Sequence, residues 1–167
     1  FGPDGRYMSG NAELDEKIED FLKTNCTETA SREERLRQAF DAIRDNFKYL
    51  SMQHYDAGTT DWAEEAALTF LEQGKGNCYC FAGLFLYCAR RLGYQATVVA
   101  GWESKPTNDH AWVMIEQDGK SLLYDPQLEY AYLYMFGRDP VDMFAAEEED
   151  GSYRGFQYYF PDGQEAS

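Results

Sequence analysis

Two histidines, His54 and His110, and four cysteines, Cys26, Cys78, Cys80 and Cys88, are the side chains of this 167-residue sequence best suited to act as base or nucleophile near neutral pH. Cys78 follows Gly76-Asn77 and leads a run, Phe81, Leu84, Phe85, Cys88 and Leu92, spaced for one face of a helix. Asn77 suits the N-cap of that helix and Gly93 its stop. The thiol therefore falls in about the first helical turn. Unpaired N–H groups and a partial positive charge there stabilise a thiolate, and the same N–H groups can hold an oxyanion. Such a nucleophile needs a base, and His110 is one of two candidates.

A third member follows from hairpin arithmetic. Residues 110–117 and 120–125 alternate as strands, joined by Asp118-Gly119, a pair suited to a two-residue turn. That turn pairs Gln117 with Lys120 and brings Trp112 opposite Asp125. Asp125 is then diagonal to His110 on one face, about 7–8 Å away between backbones, within reach of a carboxylate–imidazole contact. A carboxylate so placed fixes the tautomer of its histidine. A slip of one residue would send the two side chains to opposite faces.

The elements that must carry these groups read as helices first and strands afterwards. Leu14, Ile18, Phe21 and Leu22 mark a helix from Ala12 to Lys23. Ser31 with Glu34 has the form of a capping box, and Leu36, Phe40, Ile43 and Phe47 continue a second helix. Asp61 with Glu64 repeats that signal for a third helix, ending near Gln73 before Gly74. Beyond Gly93 the period changes to two, with a strand at 95–101 ahead of the hairpin and an aromatic run, Tyr153 to Phe160, that can return as another strand. Residues 145–150 (AAEEED) read as an exposed loop or helix end. The class is α+β, helices followed by an antiparallel β-sheet.

Thirty acidic residues against fifteen basic ones leave a net charge of −15, spread evenly over both halves of the chain. Without clustered Lys and Arg, nucleic acid is excluded as a partner. No apolar run approaches the roughly 20 residues that a membrane span needs. Three cysteines within eleven residues do not resemble a disulfide framework. Cys80 lies two positions from Cys78, about 200° of helix rotation away, so the two thiols diverge and do not converge on a metal. Cys88 falls on the apolar stripe and reads as core, Cys26 has no visible partner, and His54 reads as a surface residue. Each member of the candidate triad also has a plainer account: Cys78 as a core thiol, His110 as an ordinary strand residue, Asp125 as a turn residue before proline. Tyr79, Trp102, Trp112, Tyr124, Tyr130, Tyr132 and Tyr134 concentrate around the site, mostly as packing, and the polar loop 103–109 forms a lip beside His110.

The strings Gly76 to Ala82 (GNCYCFA), Arg90 to Tyr94 (RRLGY), His110 to Val113 (HAWV) and Tyr124 to Pro126 (YDP) resemble the transglutaminase-like superfamily. In that family a cysteine heads a helix after Gly-x, a histidine precedes a small residue and Trp, and an aspartate precedes Pro on the next strand. Agreement in order and spacing at Cys78, His110 and Asp125 covers about residues 32–130. The resemblance implies one domain over 1–167 with a papain-like, transglutaminase-like core and the nucleophile at the N-terminus of a central helix. It implies a Cys78-His110-Asp125 triad and acyl transfer or amide hydrolysis through a thioester on peptide or protein substrates, with no cofactor and no metal. It also implies a bacterial protein acting at the cell surface or outside the cell, and a start at Phe1 fits removal of a leader, although the cysteine pattern suits the cytoplasm equally. The family's additional oxyanion donor lies upstream, where Gln53 and Trp62 are both available. Family members include cross-linking enzymes, peptidases, amidases and inactive domains, so a catalytically silent binding or scaffold domain is the second reading. The complete triad argues against it. Thiol redox exchange is weaker still, because Cys78-x-Cys80 is not the C-x-x-C arrangement.

Overall fold

The computed structural model describes residues 6–162. Its elements follow the caps and periods of the chain. Helix α1 spans Ala12–Asn25, with the Asn11 side chain accepting from the Leu14 N–H, and α2 spans Arg32–Asn46, with Ser31 accepting from Glu34 N–H. Helix α3 spans Ala63–Gln73, and α4, Cys78–Arg91, starts at Asn77, whose side chain accepts from the Tyr79 N–H. Strands β1, Lys48–Tyr49, and β2, Lys75–Gly76, form a short parallel pair that leads the chain into α4.

Strands β3, Gln95–Glu103, β4, Asp109–Gln117, and β5, Lys120–Tyr124, precede helix α5, Pro126–Tyr130, which runs into a π-helical turn at Ala131–Met135. The chain then adds the two-residue strands β6, Glu148–Glu149, β7, Ser152–Tyr153, and β8, Tyr158–Tyr159. The main sheet among the described residues is antiparallel in the order β5-β4-β3-β8. The architecture is thus helices followed by an antiparallel sheet. Asp118 (φ 51°) and Gly119 (φ 78°) are both left-handed, as a hairpin of this length requires, and Gln117 pairs with Lys120.

Helix α4 is buried from Cys78 to Ala89. It packs against α1, α2 and α3 and against β3 and β4, so it is the centre of the fold. Ala96, Val98, Ala100, Ala111, Val113, Ile115 and Tyr124 face this helical core. The opposite sheet face carries Val99, Trp112, Met114 and Leu123, covered by Leu128, Met143, Ala146, Tyr153 and Tyr158. A strand covered on both sides loses its polar alternation, which explains the continuous apolar run of β4.

Three expectations change. Asp61 does not cap α3: Trp62 occupies that position without a side-chain cap, its indole N–H donating to Thr59 O, and the helix is entered through a turn in which the Ala63 N–H donates to the Thr60 carbonyl. The 145–150 segment is not simply exposed, because Ala146 is buried and exchanges two backbone hydrogen bonds of 2.9 Å with Leu123, while Glu148–Glu149 pairs with β7. The aromatic run 153–160 is split: Tyr153 belongs to β7, and only Tyr158–Tyr159 joins β3.

Gly101 is what lets β8 approach the sheet. A Cβ there would lie 2.5 Å from the Tyr159 carbonyl oxygen and 2.9 Å from the Trp112 ring. Gly101→Ala is expected to destabilise the fold by about 1–3 kcal/mol through this overpacking. In urea unfolding the midpoint should fall with the slope unchanged.

Candidate active site

Cys78 is the first residue of α4 and is 5% exposed. Asn77 prepares it in two ways: its Oδ1 caps the Tyr79 N–H at 3.2 Å, and its Nδ2 donates to the Gln53 carbonyl at 3.0 Å. Gly76 is required before it, since a Cβ at that position would meet Cys80 Sγ at 2.6 Å and the Phe70 ring at 3.1 Å. The Cys78 N–H has no hydrogen-bond partner among the described residues, as befits the first donor of a helix. It is free to donate to an oxyanion.

His110 Nε2 lies 2.6 Å from Asp125 Oδ2, with both side chains buried. Asp125 is the N-cap of α5: its Oδ1 accepts from the Leu128 N–H at 3.1 Å, and its Oδ2 also accepts from the Tyr158 hydroxyl at 2.7 Å. With Nε2 engaged by the carboxylate, Nδ1 is the ring nitrogen left for the thiol, and Cys78 lines the same cleft, close enough to act on the pKa of the imidazole. Burial by itself would pull the His110 pKa down. The charge and hydrogen bond of Asp125, joined by those of Cys78, outweigh burial and hold it well above the usual histidine value. Burial, followed by the charge of Asp125, pushes Tyr158 well above the ordinary tyrosine range, so it remains a donor.

The other thiols are insulated. Burial pushes Cys80 up to about 11 and raises Cys88 well above its ordinary value. Cys26 is half-buried, is raised by the same cause, and donates to the Arg35 carbonyl. Among the described residues, no group of three or more His, Cys, Asp or Glu side chains is placed to hold a metal ion.

Cys78 and His110 open onto a cleft of about 430 Å³. One wall is polar, with Glu103, Ser104, Asn108 and Asp109 from the expected lip. The other is formed by Gln127, Leu128, Ala131, Tyr132, Met135 and Phe136. Met135 and Phe136 are exposed, leaving an apolar lip beside the thiol. His54, read from sequence as a surface residue, is half-exposed but borders this cleft, with its Nδ1 3.0 Å from Asp109 Oδ2. Neither Gln53 nor Trp62 is among the cleft-lining residues, and the indole N–H of Trp62 is already committed to Thr59. Most of the aromatic concentration is packing, Tyr79, Trp112 and Tyr124 being buried, whereas Tyr132 reaches the cleft.

Tyr158 and Gln127 escaped the sequence reading, whereas Glu103 belongs to the loop expected at the lip. Tyr158 lay inside a recognised aromatic run, but its register against β3 comes from a long-range pairing that the run does not encode. Removing its hydroxyl leaves one buried acceptor site of Asp125 without a donor. Tyr158→Phe should therefore lower stability by about 1–3 kcal/mol. Urea denaturation of the variant against the parent protein measures the loss.

The fold has relatives among solved structures. The crystal structure of a TGase superposes with a TM-score of 0.57 at 15% identity, covering 84% of this chain and 37% of that one. A proposed cysteine protease from Cytophaga hutchinsonii gives 0.51 at 21% identity, covering 72% and 39%. The periplasmic domain of TgpA from Pseudomonas aeruginosa gives 0.50 at 21% identity, covering 75% and 45%. The chain spans less than half the length of each. No curated protein matches it significantly. A family model of the transglutaminase-like superfamily matches residues 16–126, well over half of the sequence and inclusive of Cys78, His110 and Asp125, and the chain belongs to that superfamily.

Proposed function

We propose that the chain is a cysteine-dependent acyltransferase or amide hydrolase acting on peptide or protein substrates. The observation that carries this reading is the buried 2.6 Å contact between His110 and Asp125, with Cys78 at a helix start within reach of the same imidazole. Cys78 Sγ attacks the carbonyl carbon of an amide while its proton passes to His110 Nδ1. The Cys78 N–H donates to the oxyanion that forms. Collapse of the tetrahedral intermediate breaks the C–N bond, His110 returns the proton to the departing amine, and a thioester remains. Water attacking the thioester gives hydrolysis or deamidation; an amine gives cross-linking. Asp125 orients the ring and stabilises the imidazolium.

The cleft supports a peptide substrate, because its apolar lip and polar wall offer contacts for side chain and main chain together. We assign residues 1–167 to one transglutaminase-like unit. The periplasmic origin of the TgpA neighbour supports a bacterial location outside the cytoplasmic membrane, at the cell surface or beyond. Among the described residues no helix is long and apolar enough to cross a membrane.

Iodoacetamide labelling with peptide mapping tests the nucleophile. Cys78 should be alkylated at pH 6 at least about tenfold faster than Cys26, whose thiol has no histidine beside it among the described residues and is held protonated by burial. Against burial, Asp125 raises the His110 pKa and so makes the ring a stronger acceptor for the thiol's proton. Asp125→Asn, which keeps a capping oxygen but removes the charge, should lower that pKa and slow Cys78 alkylation at pH 6. Equal labelling of Cys78 and Cys26, or acyl transfer that survives Cys78→Ala, overturns the reading.

A further inference from the structure

Two polar side chains in the cleft lack partners. Glu103, at the end of β3, is 9% exposed, and Gln127, in α5, is 7% exposed. Among the described residues, no hydrogen bond or ion pair reaches either side chain, and both line the cleft that holds Cys78 and His110. The other buried carboxylates are treated differently. Asp125 accepts three hydrogen bonds, and Glu129 is held by Arg44 at 2.8 Å and by the Met143 N–H at 2.8 Å. A carboxylate withdrawn from water is costly unless something compensates its charge. Glu103 is the exception among the buried carboxylates of the described residues.

Its position is set by the backbone. Gly101 pairs with His110, so Glu103 is diagonal to His110 on the same face of the sheet. The Glu103 N–H donates to the Asn108 carbonyl at 3.1 Å, and the Glu103 carbonyl accepts from Asn108 Nδ2 at 2.9 Å. These two bonds hold the residue at the cleft wall while leaving its carboxylate unused. Three carboxylates, Asp125, Glu103 and Asp109, stand around His110, and among the described residues no Lys or Arg lines the cleft.

We propose that Glu103, assisted by Gln127, is a recognition subsite for an ammonium or guanidinium group carried by the acyl-donor substrate. This rests on the acyl-transfer reading for the neighbouring thiol. The partner is a recognition handle rather than the attacking amine, because an ammonium held by a carboxylate keeps its proton and has no lone pair to offer. A guanidinium suits the site especially, since its planar fork can satisfy both carboxylate oxygens at once.

The test uses Cys78→Ala protein, so that no covalent chemistry intervenes, with n-butylammonium, n-butylguanidinium, n-butanol and butyrate titrated in turn and backbone amides followed by NMR. Both cations should shift amides of Glu103, Ser104 and Gln127 saturably, and butanol and butyrate should not. Adding Glu103→Gln, which keeps shape and removes charge, should weaken cation binding by roughly tenfold or more. Adding Glu72→Gln, an equal charge change on the exposed face of α3, should leave it unchanged. Butanol binding as tightly as the cations in protein with Glu103 intact overturns the proposal without any further variant. So does undiminished cation binding after Glu103→Gln, or no saturable binding of either cation. Labelling of Cys78 in the wild-type protein without cation binding removes the subsite alone, whereas cation binding without labelling removes the acyl-transfer reading alone.

Discussion

The Asp125 carboxylate is the constraint on which the site depends. It is fully buried, yet both oxygens are satisfied: Oδ1 by the Leu128 N–H, Oδ2 by His110 and Tyr158. Its own N–H donates to the Met143 carbonyl. Desolvating such a group costs on the order of several kcal/mol, and only a complete set of donors makes it tolerable. Those donors come from α5, β4 and β8. The folded arrangement of three separate elements is therefore required before the carboxylate can be buried, and once buried it orients the imidazole. Stability and site geometry share one set of hydrogen bonds.

A second fastening operates at the other end of the site. Asn77 caps α4 with one side-chain atom and ties the Gln53 segment with the other, so the helix start and the wall near His54 are fixed by one residue. Beyond Asp125, Glu129 repeats the principle, joining α5 to Arg44 of α2 and to the Met143 N–H. Burial raises the pKa of Glu129 and Arg44 draws it back down. These contacts hold the sheet and the helical layer in one register. The thiol on α4 and the histidine on β4 belong to different layers, and their approach depends on that register.

The four cysteines show how environment, rather than residue type, assigns chemistry. Cys88 is fully buried in the helical core, and Cys80 is pressed against Gly76, so burial keeps both protonated. Cys78 shares their helix but has an imidazole beside it and an unpaired helix N–H. A similar contrast separates the acids. The net charge of −15 is mostly a solvated coat, whereas Asp125 and Glu103 are withdrawn from water beside His110, the first fully hydrogen-bonded and the second without a hydrogen-bond donor among the described residues. Burial pushes the Glu103 pKa up, the positive charge of His110 pulls it back, and Asp125 adds to the rise.

What could be read along the chain was what local rules control. Caps at Ser31 and Asn77, helical spacing, the Asp118-Gly119 turn and the resulting hairpin register all involve residues near one another in sequence, so Cys78 at a helix start and Asp125 beside His110 were legible. Asp61 failed as a cap because a turn around Trp62 competes for the same residues, a choice that packing of the indole decides. Tertiary structure alone brought Tyr158 to Asp125, turned Ala146 inward against Leu123, and added His54 and Gln127 to the cleft that the 103–109 lip borders. The physical reason is that the pairing of β8 with β3 joins distant parts of the chain, stabilised by close backbone approach at Gly101 and burial of Trp112 and Tyr158. No period or cap records such an approach, because its energy comes from surfaces that meet only after the helices and the hairpin have formed.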